Sequence, residues 1–378
     1  MTIERKSVPQ QESPITYSST GVDYDTMDPL KRLAQLRARA TAGNLERFGM
    51  REVEASRGES AYVWEEPDGF RAFVIEGLGT KNRVADETRE ITGKTYYNAI
   101  AQDTVAMIVN DLIVVGAEPQ VVNAYFAVGS SDWFTDEGRS RDLVEGWAKA
   151  CNLAGAVWGG GETPTLKGII EPDTIDLSGS AVGIVKPKEH LTLGDKLTPG
   201  DAIVLVESSG IHANGLTLAR TIASKLPEGY ATPLSDGKNY GESLLTPTHI
   251  YAGLTRDLLD AGIDIHYMVN ITGHGWRKLM RANRDLSYVI DRVPEPQPVF
   301  RFIQEQSRTD DTEMYGNFNM GAGFAVFMPE QNVELTKRIA MEKYGWKTMM
   351  AGHVDQGPKQ VVIRPKNLTF QSEALGVR

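Results

Sequence analysis

The chain has 378 residues, 41% of them hydrophobic, a length that suits two domains of ordinary size, each able to bury a core. Its formal charge of -10 and pI near 5.3 argue against a nucleic-acid binder, which needs a basic face. The single cysteine, Cys151, excludes an internal disulfide framework and a cysteine zinc site. Residues 1–16 hold no apolar run of signal-peptide type, and no stretch reaches the roughly 18 apolar residues that span a bilayer, so the expectation is a soluble cytoplasmic protein with no membrane contact.

Residues 1–20 read as a flexible arm. Arg71 to Ile75 is an apolar run that feeds the turn Gly77-Leu78-Gly79-Thr80-Lys81, so it predicts a strand. Ala101, Val105, Ile108, Leu112 and Val115 recur at helical spacing, stopped by Gly116 and Pro119. Val121 to Val128 is strand-like, and Leu143, Trp147 and Cys151 mark another helix. Ala156 to Trp158 runs into three glycines at 159–161, and Ile175 to Val185 predicts a strand. Turn chemistry at 194–201 places a boundary near residue 195. Beyond it, Ala202–Val206, Leu286–Ile290, Phe324–Phe327, Thr348–Ala351 and Gln360–Ile363 predict strands. Asn214–Lys225, Thr248–Ala261 and Asn332–Tyr344 predict helices. Without a strict βαβ rhythm, both halves (21–194 and 195–366, before a tail at 367–378) read as mixed α+β layers.

The chemistry-bearing residues cluster around glycine turns. Gly93-Lys94-Thr95 is not a P-loop, because Thr88 stands where the first glycine is needed, and Asn82 breaks a dinucleotide fingerprint after Gly77. Glu76 leads the turn Gly77–Thr80 and Lys81 ends it; glycine amides approach phosphate oxygens closely, a lysine neutralises them and an acid holds a metal ion. Asn110-Asp111 lies beside the apolar helical stripe, where a carboxylate needs a cation or an exposed face. Gly160-Gly161-Glu162-Thr163 offers close backbone approach followed by a carboxylate. With Asp176, the acids Glu76, Asp111 and Glu162 form a candidate magnesium cluster. Ser208-Ser209-Gly210-Ile211-His212-Ala213-Asn214, between a strand and a helix, reads either as a phosphate pocket or as a structural loop with a hydrogen-bonding histidine. Asn270-Ile271-Thr272-Gly273-His274-Gly275 and Asn317–Gly323, with Asn319, are two further glycine turns.

In this order the motifs resemble the aminoimidazole ribonucleotide synthetase (phosphoribosylformylglycinamidine cyclo-ligase) family: Gly21-Val22-Asp23, Gly77–Lys81, Val109-Asn110-Asp111, Gly116–Pro119, Gly160–Thr163, Ser208–Gly215 and Phe318–Gly321. The resemblance runs from about residue 16 to about residue 364 and rests on order and spacing together. It implies a two-domain α/β subunit with a β-rich N-terminal dimerising domain and a C-terminal α/β sandwich domain. It also implies a homodimer, ATP and Mg2+ as cofactors, and formylglycinamidine ribonucleotide as substrate. ATP would be held by Gly77, Gly79, Thr80, Lys81, Asn110, Asp111, Gly160 and Gly161, and magnesium by Glu76, Asp111, Glu162 and Asp176. The substrate would meet Ser208, Ser209, Gly210, His212, Asn214, Thr272, Gly273 and Asn319, with His212, Lys81, His274 and Asn270 as the catalytic set.

The chain departs from the family pattern at three places. Glu76 replaces a customary Asp, Ala124 stands where an acid is common, and the usual His-Ile-Thr-Gly-Gly-Gly reads Asn270-Ile271-Thr272-Gly273-His274-Gly275. The last change suggests that His274 supplies part of what the customary histidine does. Two alternatives stand beside this reading: another ATP-dependent kinase or ligase of the same superfamily, and a non-catalytic ATP-binding paralogue.

Overall fold

The computed structural model of the chain describes residues 14–16, 20–21 and 24–375. Most of the arm expected at 1–20 lies outside the described residues; within it, the Ile15 N–H donates to the Ser307 carbonyl (3.0 Å). The N-terminal unit runs α1 (Tyr24–Arg39), β1 (Arg51–Glu52), β2 (Tyr62–Glu66), β3 (Gly69–Gly77), α2 (Lys81–Thr92), α3 (Tyr97–Ile113), β4 (Glu118–Val128), α4 (Glu137–Ala154), β5 (Val157–Glu162) and β6 (Ile175–Val185). The second unit runs β7 (Ala202–Glu207), α5 (Leu216–Ala223), α6 (Tyr240–Leu244), α7 (Ala252–Asp260), β8 (Tyr267–Asn270), β9 (Leu286–Ile290), α8 (Pro298–Ser307), α9 (Asp311–Asn317), β10 (Ala322–Met328), α10 (Val333–Tyr344), β11 (Thr348–Gln356), β12 (Gln360–Ile363) and β13 (Leu368–Gln371).

The first sheet has the order β1-β2-β3-β6-β4-β5 and is antiparallel except between β4 and β5. One face is covered by α3, which packs on β3, β4 and β6 and has α4 beside it. Along β6, Ile175, Leu177, Ala181 and Val185 are buried while Asp176 is exposed, the two-residue alternation of a strand with one face in the core. Gly179 and Gly183 fall on the covered face. A Cβ there would stand 2.8 Å from Ile108 Cδ1 and 2.9 Å from Leu112 Cδ2, so bare backbone is what lets α3 lie this close. The three glycines at 159–161 form half of β5 rather than the loop expected of them. A Cβ on Gly161 would stand 2.2 Å from the Ala124 carbonyl, so the strand fits against β4 only without one.

The second sheet, ordered β13-β12-β9-β11-β7-β10-β8, is antiparallel except between β12 and β9. β9 and β10 are buried along their whole length, as strands covered on both faces are. The stretch expected as a tail from 367 instead supplies β13. Phe370 in it is buried and Leu375 closes the segment after it, so alternating apolar residues turn the terminus into an edge strand.

The two units meet along α3, and α3 is accordingly buried on every side rather than on one stripe. Asp103 Oδ1 accepts from the Thr248 N–H (2.8 Å) and from the Thr248 hydroxyl (2.5 Å). Gln102 donates to the Thr248 carbonyl at 2.9 Å. Asn110 donates to the His249 carbonyl (2.8 Å) and accepts from the Tyr251 N–H (2.9 Å). These polar side chains satisfy backbone groups of the 246–251 segment at the seam between the units.

Candidate active site

A cavity of about 430 Å³ lies at the seam. The N-terminal unit supplies Glu76 from β3 with Met107 and Asp111 from α3; the second unit supplies Asn214, Thr272, Gly273, His274, Lys278 and Arg281. The α3 contribution follows from helical phase. Asp103 and Asn110, seven residues apart, share the side facing 246–251, whereas Met107 and Asp111, four apart, face the cavity. On the other wall, β8 pairs with β10 up to Asn270 opposite Phe324. The chain then turns through Thr272–His274, with His274 at φ 68°, into a short 3-10 helix, Gly275–Met280, that carries Lys278.

The electrostatics of the cavity are those of two acids and a lysine taken out of water. Burial, and then the charge of Asp111, push the Glu76 carboxyl up to about 7, while Lys278, a hydrogen bond from the Gly77 backbone and Arg281 oppose the rise. Burial lowers the Lys278 ammonium, and the charge of Asp111 opposes that most strongly. Asn270 Nδ2 donates to Asp111 Oδ1 at 2.7 Å and so fixes one carboxylate oxygen. Asn270 Oδ1 is buried without a hydrogen-bond partner among the described residues.

Only part of the expected carboxylate cluster assembles. Glu76 sits opposite Gly179 on the helix-covered face of the sheet. Asp176 is an odd number of residues from Gly179 and therefore projects from the other face. Glu162 pairs with Tyr125, and Tyr125 with Ser178, which puts Glu162 on that outer face as well. Among the described residues no group of three or more His, Cys, Asp or Glu side chains is arranged to hold a metal ion. Gly160 and Gly161 lie in β5, away from the seam cavity.

Lys81 stands apart from the cavity too. It is wholly buried, ion-paired with Asp103 at 2.8 Å, and donates to the carbonyls of His212 (2.8 Å) and Thr246 (3.1 Å). An ammonium has three donors and each has an oxygen here, which leaves none for a phosphate. Burial lowers the Lys81 pKa and raises that of Asp103, each opposed by the partner's charge. The structure thus makes Lys81 a tie between the units, not the phosphate contact expected from the turn. Asn110 is likewise spent on backbone. Gly77 and Gly79 are exposed in the turn ahead of α2, with Gly79 at φ 75° and Thr80 preceding the helix.

His212 is buried at φ 61°, and its Nε2 accepts from the Ser209 N–H at 3.3 Å. Burial, His249 and Lys81 hold it well below the usual histidine pKa, so it is neutral. Ser208 donates to Asn319 Oδ1 (2.9 Å), Asn319 donates to the Gly210 carbonyl (2.9 Å), and Ser209 donates to the Pro247 carbonyl (2.6 Å). This set braces its own loops. Of the expected substrate group, Asn214, Thr272 and Gly273 line the cavity, as does His274.

Sequence reasoning missed Asp103, Lys278 and Arg281. A signal existed for each: Asp103 precedes Asn110 by seven residues on an apolar helix, and Lys278 and Arg281 lie three apart just after the Thr272–Gly275 turn.

The chain matches two family models described as AIR synthase related protein, N-terminal domain (residues 58–185) and C-terminal domain (residues 198–364). It is 35% identical over 342 residues to the phosphoribosylformylglycinamidine cyclo-ligase of Methanocaldococcus jannaschii, covering 90% of this chain and 92% of that one. The Methanosarcina barkeri protein of the same name is 33% identical over 343 residues, covering 90% and 97%. Among solved structures, T. maritima PurL complexed with FGAR superimposes with a TM-score of 0.56 at 17% identity, over 89% of this chain and 50% of that one. Hydrogenase maturation protein HypE in complex with ATP does so at 0.53 and 21%, over 70% and 75%. At such identities the superpositions speak for the fold alone, whereas the two family models and the end-to-end identity show that this chain is a member of the AIR synthase related family.

Proposed function

We propose that this chain is an ATP-dependent phosphoribosylformylglycinamidine cyclo-ligase, closing the imidazole ring of formylglycinamidine ribonucleotide in purine synthesis. The observation that carries the reading is its alignment with cyclo-ligases over 90% of its length. In this reaction the formyl amide oxygen attacks the γ-phosphorus of ATP and ADP leaves. The amidine nitrogen then attacks the activated carbon and loses a proton, and phosphate departs with the former amide oxygen. An amide oxygen is a poor leaving group until phosphorylated, and ring closure is intramolecular, so holding the substrate folded lowers the entropic barrier.

Glu76 and Asp111 are hard oxygen donors that line one cavity and feel each other's charge, which suits magnesium. When bound there, magnesium would neutralise phosphate charge. Asn270 keeps the Asp111 carboxylate oriented. His274, on the cavity wall, is the group we assign to the proton released from the amidine nitrogen. Gly77 and Gly79, exposed ahead of α2, and the half-buried Thr80 are available to nucleotide phosphates through their backbone. His212 positions the 208–214 loop.

We further propose a homodimer built on the uncovered face of the first sheet. Phe73 and Ile75 are 43% and 70% exposed on that face, and a second copy laid over it would cover them. The same face carries Glu162 and Asp176, so in the dimer these acids line the interface. Among the described residues no helix is long and apolar enough to cross a membrane, and we assign the chain to the cytoplasm, where its one thiol, the buried Cys151, stays reduced.

The test is incubation of the purified chain with ATP, magnesium and formylglycinamidine ribonucleotide. The expected result is aminoimidazole ribonucleotide, ADP and phosphate in equal amounts. A folded protein that binds ATP but forms no aminoimidazole sinks the assignment in favour of another ATP-dependent relative.

A further inference from the structure

We propose that Lys278 is the cation that binds the terminal phosphoryl group of the nucleotide in the seam cavity, a role open because Lys81 is locked elsewhere. The inference rests on the nucleotide-dependent reading above and deepens it by naming the residue that meets the transferred group.

Three observations carry it. Lys278 is only 8% exposed, yet it lines the cavity. Among the described residues its one hydrogen-bond acceptor is Thr272 Oγ1, and no carboxylate lies within ion-pair distance of it. Asp111, Glu76 and Glu59 act on it only at longer range. An ammonium with three donors and one acceptor, removed from water, is costly unless a ligand oxygen completes its shell. Lys81 is the internal contrast: wholly buried, it has an oxygen for every donor.

The surroundings select the kind of ligand. Arg281, three residues on, lines the same wall, but its guanidinium donates to the Gly58 carbonyl (2.9 Å) and to Ser60 Oγ (2.7 Å). Held by these bonds and by Glu59 at 3.8 Å, Arg281 adds positive potential from a guanidinium fixed at the wall. The opposite wall carries Glu76 and Asp111, which repel a bare anion but accept one that arrives with a metal ion. A cavity lined by the cations Lys278, Arg281 and Lys31 and by the two carboxylates Glu76 and Asp111 fits a metal-bound polyphosphate better than a free carboxylate or a neutral amide. The flexible stem of Lys278 can follow a phosphoryl oxygen between donor and acceptor, which a planar, tethered guanidinium cannot.

The experiment compares ATP with ADP, both with magnesium, by calorimetric titration of the full chain. In the wild type ATP should bind more tightly than ADP. Lys278→Met should cut that preference by about 10-fold or more, the size of a charge-assisted phosphate contact. ADP affinity should change little, and Lys278→Arg should restore part of the preference. Equal weakening of both nucleotides would mark a structural lysine and overturn the proposal, as would an unchanged ratio. Should Lys278→Met lack a cooperative melting transition, Lys278→Gln takes its place with the same expected loss. A wild type that prefers ATP but makes no aminoimidazole product would remove the cyclo-ligase reading and leave the Lys278 assignment to stand on the nucleotide ratio.

Discussion

Replacing Lys81 by Met should cost stability, not nucleotide affinity. In the wild type its ammonium meets Asp103, the His212 carbonyl and the Thr246 carbonyl, all inside the contact between the two units. The variant leaves the Asp103 carboxylate buried with only its Thr248 contacts. Removing one member of a buried ion pair costs about 3–5 kcal/mol. At roughly 2–4 °C per kcal/mol for a cooperative unit of 150–250 residues, the melting temperature should fall by about 6–20 °C. Differential scanning calorimetry measures the shift. ATP titration well below the melting transition should find affinity within about 2-fold of wild type, as for a change that touches no ligand. Pairing Lys81→Met with Asp103→Leu should recover part of the loss by removing the stranded charge, but not all of it, because the Thr248 amide then loses its acceptor. A Lys81→Met protein with unchanged melting and ATP affinity lowered 10-fold or more would refute this argument and return Lys81 to the phosphates.

The Glu76 carboxyl is raised from 4.5 to about 7, so the folded state holds its proton more tightly than the unfolded chain. That contribution to stability is complete below about pH 4.5 and is lost as pH rises through 7. At roughly 1.4 kcal/mol per pH unit it amounts to about 3 kcal/mol at most; Glu76→Gln should flatten the dependence of melting on pH between 5 and 8, and a slope equal to wild type contradicts the assignment. Ile75→Arg, on the uncovered sheet face, should convert a dimer of 41.6 kDa chains into monomers in light scattering, and a wild-type monomer at micromolar concentration ends the dimer proposal. His274→Ala should lower turnover by about 10²-fold with little change in ATP affinity, the range for a lost acid–base group; wild-type kcat and KM would dismiss its role.

Much of the molecule was legible in the sequence, because turns and periodicity are local properties. The predicted strands at Leu286–Ile290 and Gln360–Ile363 coincide with β9 and β12, and the stripe from Ala101 to Leu112 lies in α3, with Val115 just past its end. The order of glycine turns, from Gly77 to Gly321, was enough to point to the family. What the sequence left open were directions. Whether Asp176 joins Glu76 depends on strand register, since one residue along a strand exchanges the two faces of the sheet. Asp176 falls on the outer face, and the expected four-acid cluster does not form within one chain. The two lysines illustrate the same limit. Lys81 follows a glycine turn and reads as a phosphate ligand, while nothing in the sequence singles out Lys278 between Arg277 and Arg281. The docking of α3 against the 246–251 segment gives Lys81 three oxygens, and the turn after β8 sends Lys278 into the cavity with one. A buried cation is structural when its donors are all met and available to a ligand when they are not, and only packing between distant segments determines that count.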